Sequence, residues 1–474
     1  MDKVNRIILA FSVLFVINAC SNFDLQTEET TVSPKEWKVS IRATKGDDTA
    51  LTKTLNESGN TITASWEAGD VVYIYRSSSS YGQLTAQSSG TSTTLVGTIT
   101  GTMTVGKTYT LRYLQRGNKT FDLRSQNGTL ENISKNHDMA EATVTVKSID
   151  GGTVVFEETS VQFESKISIT KFTFDRNIAR VDIISSNLLA YNEPGYSSNY
   201  NYINVKPANE TQTVYVAMSN LEAKKADFLF LAKGADGNYY TAVKRVQLAN
   251  GKNYAATVTL HAIPEYVDLG IVRDEHAVCW ATKNLGASNP IQVGNYYAWA
   301  ETETKATYSW DNYKYGKYNN VTKYCDRSDQ GTVDNKYSLE AGDDAATASL
   351  GAGWRTPSPD DITDLLNDSN TERMYVVADG RWGYVFHSKI SGYTGNFVFL
   401  PHTSGYFKGD HLSSASPDYE YGGYYWSNKI ETNTWTSASH ANALEIKSSS
   451  APSLATMMQR AYGLVVRPVY LKSL

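Results

Sequence analysis

The feature that most constrains this chain is a succession of short segments in which apolar and polar residues alternate. WKVSIRAT (37–44), VVYIYR (71–76), KTYTLRYL (107–114) and ATVTVKSI (142–149) each place every second side chain on one face, with Gly, Asn and Asp breaking the chain between them. Period-two alternation matches the pleat of a β-strand, whose successive Cβ atoms point to opposite faces. At this close spacing it predicts antiparallel β-sandwiches. The pattern continues in SKISITKFTF (165–174), ARVDIIS (179–185) and ETQTVYVAMS (210–219), and no amphipathic helix interrupts it before about residue 262. DFLFLAKGADGNYYTAVKRVQL (227–248) reads as a hairpin with Asp236-Gly237 at its tip, where a primed turn needs φ > 0. Gly106-Lys107-Thr108-Tyr109 and Gly251-Lys252-Asn253-Tyr254 form a faint internal echo, each a Gly-Lys turn ahead of an alternating strand.

At 474 residues the chain is too long for one core. The expected layout is a signal peptide over 1–19, a tether over 20–35, β-sandwich domains over 36–160 and 161–262, and a third domain over 263–474. The formal charge of -5 gives no electrostatic reason to expect nucleic acid or an anionic membrane face as partner. An unusual 32 Tyr and 9 Trp suit strands and half-exposed surfaces, hence a β-rich extracytoplasmic protein.

The first residues, MDKVNRIILAFSVLFVINACSN, carry Lys3 and Arg6 ahead of an apolar run, Ile7 to Ile17, that is too short to span a bilayer. Ile17-Asn18-Ala19-Cys20 resembles a bacterial lipobox, which makes Cys20 the lipidated first residue of the mature chain. Two or three acyl chains anchor stably where one does not. Residues 21–35 are polar and aperiodic, as a tether between lipid and fold would be. Two cysteines remain, Cys279 and Cys325. Export to an oxidising compartment would allow them to pair, but sequence leaves their separation open. Without nearby histidines they do not form a zinc site.

ITASWEAGDVVYIYR (62–76), NIARVDIIS (177–185) and LANGKNYAATVTL (248–260) resemble the fimbrillin family, the lipid-anchored pilins of anaerobic gut and oral bacteria. The resemblance covers roughly residues 36–262. It implies two β-sandwich domains built for surface display or pilus assembly, without catalysis.

Beyond HAIPEYVDLG (261–270) the aromatic load rises, with seven of the nine Trp past residue 270. VDLGIVRDEHAVCWATKNLGASNPIQVGNYYAWAETETK (267–305), TKYCDRSDQGTVDNKYSLEAGDDAATASLGAGWRTPSPDDITDLL (322–366), FVFLPHTSGY (397–406), YYWSN (424–428) and YGLVVRP (462–468) resemble, in order, the Fibrobacter succinogenes major paralogous domain. That resemblance implies an α+β, C-type-lectin-like fold related to the formylglycine-generating enzymes, with two short helices, twisted antiparallel sheets and long loops. The fold class expected for the whole is therefore mainly β.

Asp360 and Asp361 raise the question of chemistry. Ser358-Pro359-Asp360-Asp361 fits a capping box: a Ser N-cap, Pro at the first helical position and an acid at N3. Ile362, Leu365 and Leu366 then form one buried stripe. Asp343-Asp344-Ala345-Ala346 reads as the acidic start of a short Ala-rich helix. Both pairs are expected to be structural. The late cysteine pair of the formylglycine-generating enzymes has no counterpart after Cys325, and the seven histidines sit in no nucleophile motif. No catalytic residue, metal or cofactor is expected. Calcium-dependent lectins of the C-type fold use a Trp-Asn-Asp strand, where this chain has Trp426-Ser427-Asn428 and lacks the carboxylate. Asp326 to Gly331 looks faintly like a calcium loop but fails the EF-hand spacing.

What remains is recognition through exposed aromatic rings. Trp280, Trp354 and Trp426 lie within the family motifs and are assigned to the core. Trp382, Tyr419, Tyr421 and Trp435, in segments rich in Gly, Asp, Glu and Thr, are the candidate ligand-binding residues. Stalk pilins of the fimbrillin type donate a C-terminal strand to the next subunit. Here a third domain occupies that position. The expectation is a lipid-anchored protein of the outer membrane or cell surface, a fimbrial tip or adhesin-like subunit. Its partners would be the membrane, pilin subunits, and a glycan or a host or bacterial surface protein. The alternatives are an outer-membrane glycan-utilisation accessory or enzyme, and a structural surface protein with no specific ligand.

Overall fold

The computed structural model describes residues 36–45, 56–58, 61–63, 65–77, 79–114, 121–192, 200–407, 410–411, 422–432, 437–448 and 450–474. The expected signal peptide, Cys20 and the tether lie outside the described residues. The described fold is mainly β, as the alternation predicts.

The first sheet has eight strands and closes on itself. Its opening strand, Glu36–Lys45, pairs antiparallel with Ser92–Thr100 on one edge. On the other it pairs parallel with Thr153–Phe156 and then Ser160–Ser165. Both edges of the opening strand are thus satisfied, which removes the aggregation hazard of a free edge. Alternate residues fill the interior, among them Val39, Ile41, Val72, Ile74, Leu95 and Leu111. Trp66 lies at its centre, edge-on to Tyr113 and Phe163 with ring centroids 5.7 and 5.3 Å away. The turn after it explains the Trp66-x-x-Gly69-Asp70 pattern: Gly69 takes φ +95°, and the Asp70 carboxylate accepts the Glu67 N–H at 2.9 Å.

The second sheet is organised by one 17-residue strand, Ser168–Ile184. Its first half pairs antiparallel with Thr211–Met218 and parallel with Asn253–Val258. Past a register shift between Thr173 and Ile178, its second half pairs with Tyr202–Val205 and Lys225–Gly234. A strand that bends and changes neighbours lets one element serve both layers of a sandwich. Phe172, Phe174, Val181, Ile183, Val214 and Phe230 fill the space between. Residues 121–136, which join two strands of the first sheet, belong here: Ser125–Gln126 pairs with Tyr202–Val205, and Leu123 and Ile133 enter the second core. At the 227–248 hairpin only Gly237 takes positive φ, at +79°. The primed two-residue turn is replaced by a longer loop, in which the Asp236 carboxylate accepts the Asn238 N–H and the Tyr240 hydroxyl.

From Tyr266 the described chain builds a four-stranded, a five-stranded and a three-stranded sheet, two two-stranded ribbons, and two short helices, Ala345–Leu350 and Pro359–Leu365; within these sheets the pairing is antiparallel except for one parallel contact, Tyr425 with Val465. Trp280, Trp354 and Trp426 are buried, as expected. Val469–Ser473 is an inner strand, flanked by His276–Ala281 and Trp354–Arg355.

The C-terminal region packs directly on the second sheet. Ile184, Tyr202, Leu229 and Leu231 from that sheet share a core with Met374, Val376, Ala378, Val385 and Phe399 from strands Thr371–Ala378, Arg381–Ser388 and Phe397–Pro401. A shared apolar core fixes two bodies more firmly than the polar contacts usual between domains of one chain.

Candidate functional site: carboxylates, aromatic rings and the domain junction

The carboxylate pair is a helix cap. Ser358 Oγ accepts the Asp361 N–H at 3.1 Å, and Asp361 Oδ2 accepts the Ser358 N–H at 2.7 Å. Asp361 is fully buried; its Oδ2 also meets Arg355 at 2.6 Å, and its Oδ1 lies 3.8 Å from Arg273 Nε. A buried carboxylate with these partners is committed to structure. Asp360 points outward, within 3.7–3.8 Å of Arg273 and Lys429. Ile362 and Leu365 are buried beneath, on the predicted stripe.

The second acidic pair divides its labour. Asp344 is the N-cap of Ala345–Leu350, accepts the Ala346 N–H and also binds the N–H and hydroxyl of Thr356. Asp343 is the hub of a polar cluster with Lys314, Lys323, Tyr315 and Tyr324. Burial works against its charge, yet hydrogen bonds from Lys323, Tyr315 and Tyr324 hold the carboxyl well below the usual carboxylate range. This cluster was not visible in the sequence, because its members are spread over 30 residues without periodicity.

Trp426-Ser427-Asn428 is likewise interior. Trp426 Nε1 donates to Tyr297 O, Ser427 O accepts from Trp299 Nε1, and Asn428 N donates to Pro357 O. In the 326–331 loop Asp329 pairs with Arg327, and Gln330 Oε1 holds the Ala438 N–H. Cys279 and Cys325 are both buried free thiols. Burial pushes the Cys279 thiol up to about 11.

Of the four candidate aromatic residues, Tyr419, Tyr421 and Trp435 lie outside the described residues. Trp382 is not in a loop. It is the second residue of strand Arg381–Ser388, half-buried at the junction. Its ring stacks on Tyr375 at 4.8 Å and lies edge-on to Tyr202 of the second sheet at 6.0 Å. The turn before it occupies only Asp379 and Gly380, and strand alternation turns Trp382 toward the second sheet.

Among the described residues, sequence reasoning missed an exposed ring that its neighbours hold in place. Tyr318 is 43% exposed, edge-on to Trp310 at 5.6 Å and to His440 at 5.9 Å. Trp310 is fixed from below by Tyr313 and by a hydrogen bond from Nε1 to Gln459 at 2.8 Å. The clue available was the aromatic density of YSWDNYKYGKY (308–318).

Polar contacts complete the junction. The Asp182 carboxylate accepts from Arg180, from Asn204 at 2.7 Å and from the backbone N–H of Asp379. Asn204 also donates to Val377 O at 2.8 Å, and the Tyr239 hydroxyl donates to the Asp379 carboxylate. Burial raises the Asp182 carboxyl to about 6, against the pull of Arg180.

No protein-family model and no curated protein matches the chain. Solved structures similar to it include the tip fimbrial protein Mfa3 from Porphyromonas gingivalis, at 11% identity and a TM-score of 0.25, covering 45% of this chain and 83% of that one. A candidate cell adhesion protein from Bacteroides uniformis is 15% identical with a TM-score of 0.29, covering 47% and 93%. A candidate adhesin from Bacteroides ovatus is 10% identical with a TM-score of 0.26, covering 52% and 99%.

Proposed function

We propose that this protein is a lipid-anchored, adhesin-like, non-enzymatic component of the bacterial cell surface that recognises glycans through aromatic rings of its C-terminal region. The observation that carries the reading is Tyr318, an exposed ring held in place by Trp310 and His440. A pre-positioned ring offers a flat apolar face to the C–H face of a sugar at low entropic cost. The carboxylate pairs of the C-terminal region support recognition rather than chemistry, since Asp343, Asp344 and Asp361 are each occupied in holding the fold. Tyr419, Tyr421 and Trp435 are further candidate ligand-binding residues on sequence grounds, and Cys20 would supply the anchor.

A terminal place in an assembly is supported by strand Val469–Ser473. It is paired on both edges, so donating it to another subunit would require pulling apart the sheet it belongs to. The test is a glycan array probed with the full-length protein and Tyr318→Ala. Glycan binding that falls at least about tenfold in the variant, with unchanged melting, supports the reading; a wild-type protein that binds no glycan sinks it.

A further inference from the structure

Two of the cavities lined by C-terminal residues differ in how far their polar groups are already partnered. The smaller, of about 400 Å³, is lined by residues 294–296 and 304–308. Its lysine and tyrosines are already committed: Lys305 to Glu301 and Asn312 O, Tyr308 to Tyr296 O, and Tyr296 to Thr403 O. The larger, of about 670 Å³, is a crevice at the junction. Its walls are the Gly237–Tyr240 end of the second-sheet hairpin, the connecting residues 262–265, and the loops at 282–283 and 288–290. Among the described residues the side chains of Lys283 and Glu265 have no hydrogen-bond or ion-pair partner. Asn289 uses its Oδ1 on the N–H groups of Ile291 and Gln292, which leaves its Nδ2 open.

We propose that this crevice binds a short oligosaccharide, as a second subsite of the glycan recognition proposed above, on which the inference rests. Its volume lies within the roughly 300–1,000 Å³ usual for small-molecule sites, which favour domain junctions. The open groups are mixed in kind: a carboxylate that accepts, an ammonium and an amide that donate. A phosphate-like anion would meet Glu265 as well as Lys283, and an apolar ligand would strip water from both without replacing it. A polyhydroxylated ligand satisfies all of them, because each hydroxyl both donates and accepts. Tyr239 and Tyr240 add aromatic surface at one end.

The crevice is also preformed. Its hairpin wall is held to the C-terminal region by the hydrogen bond from Tyr239 to Asp379, and the connecting residues are pinned by Thr282, whose hydroxyl donates to Pro264 O at 2.6 Å and whose N–H donates to Glu265 O at 3.1 Å. Binding therefore need not order the walls, which reduces its entropic cost.

The experiment is an array of neutral and acidic oligosaccharides probed with the full-length protein, the double variant Lys283→Ala/Glu265→Gln, and Tyr318→Ala, with melting curves for each. Lys283 and Glu265 are exposed, so the double variant is expected to melt as wild type does. The inference predicts at least one oligosaccharide whose binding weakens by about tenfold or more in the double variant and survives Tyr318→Ala. If every oligosaccharide bound by wild type is bound equally by the double variant, the crevice is not a subsite, and the Tyr318 reading is decided separately by the loss or survival of binding in Tyr318→Ala. If wild type binds nothing on the array, both fall.

Discussion

The Asp182 carboxylate, on the long strand of the second sheet, accepts the backbone N–H of Asp379 at 2.8 Å, from a hairpin tip 197 residues further along the chain. This contact lies at the edge of a shared apolar core and makes the C-terminal region part of one packed body with the second sheet.

The Asp182 carboxyl has a definite pH signature. Burial raises it to about 6, well above the ordinary aspartate value, so the folded state binds the proton more tightly than the unfolded chain does. Stability from this group is then greatest below about pH 4 and is lost as pH rises toward 6, an effect on the order of 3 kcal/mol. Asp182→Asn removes the titration. Its melting temperature relative to wild type should rise between pH 4 and pH 7, and a difference independent of pH would show that Asp182 does not titrate in this range.

The capping box predicts coupled losses. Ser358→Ala should cost about 0.5–2 kcal/mol, and Asp361→Ala more, because it also leaves Arg355 without its buried partner. The double variant should lose less than the sum, since both changes act on one helix end. Urea denaturation of the full-length protein reads all three. Glycan binding per folded molecule should survive, and lost binding at unchanged stability would return Asp361 to the functional residues.

Trp382 and Tyr318 should separate structure from recognition. Trp382→Ala should destabilise the junction, by less than the roughly 3–5 kcal/mol of a fully buried ring because Trp382 is half-exposed, and should leave glycan binding at Tyr318 intact. Tyr318→Ala should do the opposite. Melting curves beside the array distinguish them, and a reversed pattern would exchange the two roles.

Residues 264–474 expressed alone should expose Met374, Val376, Val385 and Phe399, which the second sheet covers in the full chain. Such a patch favours association. The fragment is expected to self-associate or to bind residues 36–263 supplied in trans, and a monodisperse, fully stable fragment would mean that the junction adds little.

Cys20→Ala tests the anchor. The variant should leave the membrane fraction or retain an uncleaved signal peptide, as read by fractionation and intact mass. An acylated Cys20→Ala protein would refute the lipobox reading.

What the sequence determined by itself is whatever closes over a few residues. The strands at 37–44, 71–76 and 107–114 follow from alternation, because the pleat acts on neighbours two apart. The cap at Ser358 and Asp361 is legible because both hydrogen bonds close within three residues, and the burial of Trp280, Trp354 and Trp426 agrees with an expectation drawn from resemblance alone. Tertiary structure decided the rest. Which halves of Ser168–Ile184 pair with which strands depends on partners up to about 80 residues away. Whether Trp382 faces solvent depends on a second sheet whose Tyr202 lies 180 positions earlier. The openness of Lys283 and Glu265, beside a committed Lys305, likewise emerges only once distant segments meet. Long-range contacts are set by which apolar surfaces remain uncovered after local structure forms, and periodicity within a strand does not encode its partner.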